Sequence, residues 1–205
     1  YYLKLIMKNC ETLLYIIGCG GHARSVAEVA LLDKAISNII FVDANAKENE
    51  KIFGFSVIKE LPSNAEKIFV AIGDCQLRKK LSQQYDLINI ISTDATIGID
   101  CTIGKGCFIG HKTYIGPEAI IGNGTIINTG AIIEHEVAIG EFCHVAPNTV
   151  ICGRTKIGDN VFIGAGSVII DKLSVCSDTC FGAGSVVIKS ICEKGTYVGV
   201  PVHKI

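Results

Sequence analysis

The feature that most constrains this chain is a six-residue spacing of apolar residues along its second half. Steps of six from Ile91 to Phe181 meet an aliphatic residue or phenylalanine at all sixteen positions, and glycine directly follows nine of them. A small residue recurs four positions after most of them. A period of six fits neither an α-helix nor an alternating strand, but it is typical of a triangular β-solenoid with about 18 residues per coil. We predict an all-β parallel helix of hexapeptide repeats, with aliphatic residues inside, glycine permitting the corners, and the left hand of known examples.

The first part of the chain has no such period. Apolar strands alternate with helical segments there, and this alternation predicts a small Rossmann-like α/β domain with a parallel sheet. We place the two domains at residues 1–90 and 91–205. No flexible linker separates them, so the domains should pack together. The predicted elements are strands at 13–17, 39–43 and 68–73, helices from the turn at 18–23 to about 32 and at about 75–84, and a lead-in at 87–91.

Composition excludes several classes of function. A net charge of −1 and a pI near 6.6 give no electrostatic case for binding nucleic acid or an anionic membrane, and no apolar run is long enough to span a bilayer. The ten cysteines form no CxxC pair, and Cys101, Cys107 and Cys143 occupy the small position of their repeats. We therefore expect a reduced, cytoplasmic protein without a disulfide framework. Six residues precede Met7, the only methionine, and we expect Met7 to be the native start.

The glycine-rich turn after the first strand, Gly18-Cys19-Gly20-Gly21-His22-Ala23, is a candidate phosphate cradle. Glycine lets backbone N–H groups approach a phosphate, and the start of the following helix favours its negative charge. Asp43 ends the second strand, where a carboxylate can bind ribose or base. Some 80 residues supply only half of a doubly wound fold, which favours a mononucleotide. The alternative is a tight turn without a ligand.

A break in the repeat marks a second candidate site. Glycine follows the aliphatic residue five times from Gly98 to Gly122, and then Asn128 and Glu134 take that place. His135 and Glu136 come next, and a histidine beside a carboxylate is a general-base arrangement. His144 lies half a coil further on.

A structural alternative is that these are ordinary exposed histidines, and we assign His111 to that alternative. Zinc is not expected, because ligands from one chain stack only at multiples of about 18 residues, whereas the three histidines are 24 and 9 apart.

Motifs from both halves resemble the bacterial sugar acetyltransferases that join a Rossmann-like domain to a left-handed β-helix. These motifs are Gly-x-Gly-Gly-His, Phe-Val-Asp, Ala-Ile-Gly-Asp, Asn-Thr-Gly-Ala-Ile-Ile-Glu-His-Glu, Ile-Gly-Glu-Phe-Cys-His-Val and Tyr-Val-Gly-Val-Pro. The resemblance covers about residues 13–205, and it is nearest to the bacillosamine-pathway N-acetyltransferases and more distant to sialic-acid O-acetyltransferases. It implies acetyl-CoA as co-substrate and agrees with a homotrimer, which we expect because the half-coil spacing places His135 and His144 on different parts of one prism; no metal is expected.

The resemblance also implies roles for individual residues. His135 is the general base, and Glu136 raises its basicity. The acetyl-CoA groove is lined by His144, Gly153, Ala165 and Ala183, and the nucleotide sugar is bound by Gly20, Gly21, His22, Asp43, Gly73, Gln76 and Asn128. Ala44 stands where the family has a second aspartate and Gln76 where it has glutamate, so the nucleotide is open between UDP, dTDP and another.

Three functions follow from this interpretation. The first is acetyl-CoA-dependent N-acetylation of a nucleotide-linked 4-amino-4,6-dideoxy sugar by direct transfer. The alternative is O-acetylation of sialic acid or another sugar hydroxyl, and the third is a non-catalytic nucleotide-sugar-binding module. Glu136 directly after His135 favours the first, because it belongs to the motif of the amino-sugar branch.

Overall fold

A computed structural model describes residues 12–205, so the expectation about Met7 lies outside the described residues. The first part is a five-stranded sheet in the order β3-β4-β2-β1-β5, parallel except for the β3–β4 hairpin. Its elements are β1 (Thr12–Ile17), α1 (Gly21–Ala30), β2 (Ile36–Val42), β3 (Lys51–Ile52), β4 (Phe55–Ile58), β5 (Lys67–Val70) and α2 (Cys75–Ser82).

The predicted parallel sheet with alternating helices is confirmed, with both helices slightly shorter than expected. The hairpin of β3 and β4 was not predicted. It turns at Phe53 and Gly54, both of which have positive φ. Its strands are too short to show an alternating pattern, so the turn residues carried the only signal in the sequence.

The second part is a β-solenoid with three faces, and each strand pairs in parallel with the strand one coil further on, as Ile127 does with Val145. The first face has eight strands: β6 (Ile90–Ile91), β9 (Phe108–Ile109), β12 (Ile126–Ile127), β15 (His144–Val145), β18 (Phe162–Ile163), β21 (Thr179–Phe181), β23 (Gly195–Val198) and the antiparallel β24 (His203–Lys204). The second face has six: β7 (Thr96–Ile97), β10 (Tyr114–Ile115), β13 (Ile132–Ile133), β16 (Val150–Ile151), β19 (Val168–Ile169) and β22 (Val186–Val187). The third face has five: β8 (Thr102–Ile103), β11 (Ile120–Ile121), β14 (Ala138–Ile139), β17 (Lys156–Ile157) and β20 (Ser174–Val175).

The interior of the solenoid is the predicted stack of aliphatic residues. From Ile109 to Phe181 these positions are buried, whereas Ile97 is 41 % exposed in the first coil, where no earlier coil covers it. The small residues share the interior and bond their hydroxyls to the backbone. Thr125 Oγ1 donates to the Gly140 carbonyl at 2.8 Å and Thr149 Oγ1 to the Gly164 carbonyl at 3.2 Å. These buried hydroxyls are therefore satisfied.

The glycines that follow the aliphatic residues are needed for a different reason than we predicted. They do not adopt the positive φ of the corners. Positive φ occurs two residues later in the repeat, at positions such as Glu136 and Arg154. A β-carbon on Gly110 would lie 2.7 Å from the Thr129 backbone nitrogen of the next coil. Glycine is needed because successive coils approach closely at this point.

The two parts of the chain share a core on the first face. Ile90, Phe108 and Ile126 point outward from the solenoid and are buried among the apolar residues of the N-terminal sheet and α1. The next outward residues along that face, His144 and Phe162, border an open pocket. The N-terminal part thus covers the early coils of this face and leaves the later coils accessible.

Candidate active site

His135 lies at the corner between β13 and β14, with 45 % of its side chain exposed. Its Nδ1 is 2.9 Å from Oε2 of Glu136, and the same oxygen accepts a 2.9 Å hydrogen bond from Nε of Arg154. These two hydrogen bonds, that of His135 first, lower the pKa of the Glu136 carboxyl. Because a carboxylate only accepts, Nδ1 of His135 bears the ring hydrogen and Nε2 presents a lone pair. This is the geometry of an oriented general base.

Gly153 lies one coil above His135, and the imidazole packs on its bare backbone. A β-carbon at Gly153 would lie 2.6 Å from both Cε1 and Nε2 of His135. Within residues 12–205 the N–H of Gly153 donates no hydrogen bond. The lone pair of the imidazole and an unused backbone donor are therefore neighbours, as a reaction that develops an oxyanion requires.

Ala165 and Ala183 stack one coil apart at another corner, the one between the first and second faces. Both are exposed, and their N–H groups make no hydrogen bond within the part of the chain that the structure describes. A column of free N–H groups suits the carbonyl oxygens of an extended, amide-containing ligand. It lies at the opposite edge of the second face from His135 and Gly153.

The glycine-rich turn of the N-terminal domain leads directly into α1. Gly20 caps the helix without any side-chain hydrogen bond, and a β-carbon on Gly20 or Gly21 would meet nothing within 4 Å. The first N–H groups of α1 are thus accessible to an anion. Arg24, which the sequence analysis missed, adds an exposed cation, and its Nη1 donates to the carbonyls of Cys19 at 2.6 Å and Gly20 at 3.2 Å.

Asp43 follows β2 beside this turn. Its Oδ2 accepts from Sγ of Cys19 at 3.0 Å, and its Oδ1 accepts from the Asn45 N–H at 2.9 Å. These contacts, that of the thiol first, lower the pKa of the Asp43 carboxyl. The carboxylate is ionised and oriented next to the phosphate-binding turn, as a ligand for hydroxyl groups would be.

His144 lies where the two domains meet. Its Nδ1 is 3.2 Å from the Gly73 carbonyl, and its Nε2 is 3.5 Å from Nδ2 of Asn128. Its ring stands 6.2 Å from that of His22, which contacts Phe108 edge-on at 5.0 Å. Burial lowers the pKa of His144 to about 4 and that of His22 to about 3, so both are neutral at pH 7. The ring of His22 therefore brings no charge to a phosphate, and its Nε2 is buried without a partner.

A pocket of about 560 Å³ opens between the start of α2 and the later coils of the first face. It brings together Gly73 and Gln76, expected at the nucleotide-sugar site, and His144, expected in the acetyl-CoA groove. Nε2 of Gln76 donates to Oδ1 of Asp178 across it at 3.2 Å. The other lining residues are Asp74, Cys75, Asn160, Phe162, Thr179 and Cys180.

The expected site residues thus form two groups within one chain. Contacts of His135 involve Glu136 and Gly153, whereas those of His144 involve the N-terminal domain and Asn128. Arg154 was missed, although its position 18 residues after Glu136 places it directly above that carboxylate.

Within residues 12–205, no helix is long and apolar enough to cross a membrane. No group of three or more His, Cys, Asp or Glu side chains there is arranged to hold a metal ion. All nine cysteines in this range are free.

Two family models match the chain. Residues 13–85 match the PglD N-terminal domain, and residues 94–129 and 154–189 match the bacterial transferase hexapeptide. A comparison with curated protein sequences found no match.

Solved structures match both domains together. The acetyltransferase domain of PglB from Neisseria gonorrhoeae is 28% identical with a TM-score of 0.88, covering 94% of this chain and 99% of that one. The same domain in complex with acetyl coenzyme A has a TM-score of 0.89, again at 28% identity, covering 94% and 98%. PerB from Caulobacter crescentus, in complex with CoA and GDP-perosamine, is 29% identical with a TM-score of 0.85, covering 95% and 97%.

The fold and the site define an acyltransferase built on hexapeptide repeats. The chain belongs to the nucleotide-sugar N-acetyltransferase family, in which a PglD N-terminal domain precedes a hexapeptide β-solenoid.

Proposed function

We propose that this protein transfers the acetyl group of acetyl-CoA to the amine of a nucleotide-linked 4-amino-4,6-dideoxy sugar, as a cytoplasmic homotrimer. The observation that carries the proposal is the His135–Glu136 pair at 2.9 Å, with an unused Gly153 N–H beside the imidazole. Its relatives support the two substrates, since one was solved with acetyl coenzyme A and another with CoA and GDP-perosamine.

The reaction is a direct transfer in a ternary complex. The sugar amine attacks the thioester carbonyl, Nε2 of His135 takes the amine proton, and CoA leaves as the thiolate. A sugar amine titrates near ~8, by analogy with an α-amino group, so a moderate base suffices at neutral pH. The Gly153 N–H stabilises the oxyanion, and joint binding of the two substrates supplies much of the remaining rate.

We infer the homotrimer from two sets of residues at opposite edges of the second face. His135 and Gly153 line one edge of the second face, while Ala165 and Ala183 line the other. A cyclic assembly places one edge of a subunit beside the opposite edge of its neighbour and closes a groove that uses both. The second face also carries exposed apolar residues, Tyr114 and Ile132, each 36% exposed. Light scattering should return a trimer, and a fully active monomer of about 22 kDa would contradict this arrangement.

The acceptor is inferred from the N-terminal domain. Its uncapped helix start at Gly20 and the ionised Asp43 next to it suit a nucleoside diphosphate. Gln76 lines the pocket of His144, and Asn128 contacts that histidine. Free amino sugars and free sialic acid would leave this region empty. We expect them to react at least ~100-fold more slowly, since several charge-assisted hydrogen bonds to phosphate are lost.

The test is a substrate panel assayed by CoA release. It contains UDP-, dTDP- and GDP-linked 4-amino sugars, free amino sugars and free sialic acid, because Ala44 and Gln76 leave the base open. Fastest turnover of one nucleotide-linked amine supports the proposal. Faster turnover of free sialic acid than of every nucleotide-linked amine would instead establish an O-acetyltransferase.

Variants of the two histidines test the assigned roles. His135→Ala should lower kcat by roughly 10²–10⁴ with little change in the KM for acetyl-CoA. His144→Ala should mainly raise that KM. Small and equal effects of both would mean that neither histidine serves the reaction.

A further inference from the structure

Arg78 is the largest fully buried side chain of the described residues, with 1% exposure, and no carboxylate pairs with it there. It lies on α2, and all of its hydrogen bonds go to backbone carbonyls. Nε donates to Gly124 at 2.7 Å, Nη1 to Ile72 at 2.8 Å and Gly73 at 3.0 Å, and Nη2 to Phe142 at 2.8 Å and Cys143 at 2.9 Å. A guanidinium has five N–H donors, so its hydrogen-bonding capacity is used completely.

Three of the five carbonyls belong to residues that adjoin or contact His144. Phe142 and Cys143 immediately precede His144 in the chain, so Nη2 fixes the backbone from which the imidazole projects. Gly73 provides the carbonyl that Nδ1 of His144 contacts at 3.2 Å, and Nη1 of Arg78 donates to the same carbonyl. One guanidinium thus holds both the base of the histidine and the acceptor for its ring hydrogen.

We propose that Arg78 is a positioning residue that fixes the orientation and tautomer of His144 across the domain boundary. The inference rests on the proposed function in one respect, the role of His144 in binding acetyl-CoA. A carbonyl oxygen cannot donate, so Nδ1 of His144 bears the hydrogen and Nε2 keeps its lone pair, which faces Asn128 and the site. A ring in this state accepts a hydrogen bond from an amide N–H of the co-substrate.

Charge adds to this geometry. Arg78 brings a buried cation close to both His144 and His22, and repulsion from it contributes, after burial, to the lowered pKa of each. The groups that face His144 are His22 from α1, Gly73 from the loop before α2, Arg78 from α2, and Asn128 and Phe162 from the solenoid. None of these groups is an anion, and the carboxylates that line the same pocket, Asp74 and Asp178, form no ion pair with His144. A lysine at position 78 would keep the charge and lose the planar fork.

The experiment compares Arg78→Lys with Lys79→Met, a matched control on the same helix whose ammonium lies over the Phe142 ring. Long-range proton–nitrogen NMR of the imidazoles reads the tautomer of His144 directly. We expect the Nδ1–H form in the wild type and in the control, and a mixture or the Nε2–H form in Arg78→Lys. Calorimetry should show acetyl-CoA binding weakened about 10-fold in Arg78→Lys, the size of one lost hydrogen bond, and unchanged in Lys79→Met.

Two results would overturn the inference. One is an Nε2–H tautomer of His144 in the wild type, which is measurable even if Arg78→Lys does not fold. The other is a folded Arg78→Lys protein with an unchanged His144 spectrum. Neither result depends on turnover. A protein that acetylates none of the tested sugars would therefore refute the proposed function, whereas the role of Arg78 would still be decided by the NMR spectrum of His144.

Discussion

A single methyl group at Gly153 should disable the reaction through His135. The added β-carbon would lie 2.6 Å from Cε1 and Nε2 of the imidazole, against 3.4 Å or more for ordinary contact. The ring must therefore move by about 1 Å, and a displacement of that size can cost about 10²-fold in rate. We expect Gly153→Ala to lower kcat by roughly 10²-fold, equivalent to about 2.7 kcal/mol.

The backbone should tolerate this change. Gly153 is not among the glycines with positive φ, and alanine also restricts the unfolded chain, so stability should change by less than about 1 kcal/mol. Alanine keeps the backbone N–H, so the loss would report the position of the ring and not a missing oxyanion donor. Urea unfolding checks stability, and stopped assays of CoA release give kcat.

A double-mutant cycle isolates the mechanism. If Gly153→Ala acts by displacing the imidazole, it should have almost no further effect in a His135→Ala background, a coupling of about 2–3 kcal/mol. An equal loss in both backgrounds, or activity within threefold of the wild type in Gly153→Ala, would refute the reasoning.

Three other predictions follow from the same geometry. Arg154→Leu should lower kcat only about 3–10-fold, because an exposed ion pair that supports the orienting carboxylate contributes little; kinetics at saturating substrate measures it. Cys143→Ala and Cys152→Ala should keep their activity, since burial raises the thiol pKa of Cys143 to about 12 and also raises that of Cys152; an acetylated cysteine peptide in mass spectrometry would contradict this. Stability to urea should fall as the pH drops from 6.5 toward 4, because the unfolded chain takes up protons before the buried His22 and His144 do; His22→Gln should flatten this dependence.

The solenoid was predictable because its physics is local and repetitive. Each hexapeptide buries one aliphatic residue against the equivalent residues of the neighbouring coils, as at Ile109 and Ile127. Because this pattern recurs on every face, it remains recognisable when single positions are substituted. The place of the His135–Glu136 pair was predictable for the opposite reason, since Asn128 and Glu134 interrupt a regular glycine pattern just before it. The orienting contact of Arg154 also follows from coil arithmetic, once one coil is known to be 18 residues.

Other features were not predictable because they depend on contacts between distant segments. Arg78 lies in the segment Cys-Gln-Leu-Arg-Lys-Lys, whose sequence suggests a solvent-exposed cation, yet the side chain is buried at the domain interface. The site of His144 beneath Gly73 depends on the same interface. The sequence also gives no measure of how closely coils approach, so Gly110 was expected to serve the corner and not the stacking.

The separation of His135, at the corner between the second and third faces, from His144 on the first face leads to one more prediction. If His135 of one subunit acts with His144 of its neighbour, a chain with His135→Ala and a chain with His144→Ala can complement each other. After unfolding, mixing in equal amounts and refolding, about a quarter of the interfaces in random cyclic trimers would pair an intact His135 with an intact His144. Activity below the KM for acetyl-CoA should then recover to about a quarter of the wild-type value, although each variant alone is impaired. A mixture that never exceeds the mean of its two components would mean that both histidines of a working site come from the same chain, and the groove between subunits would have to be abandoned.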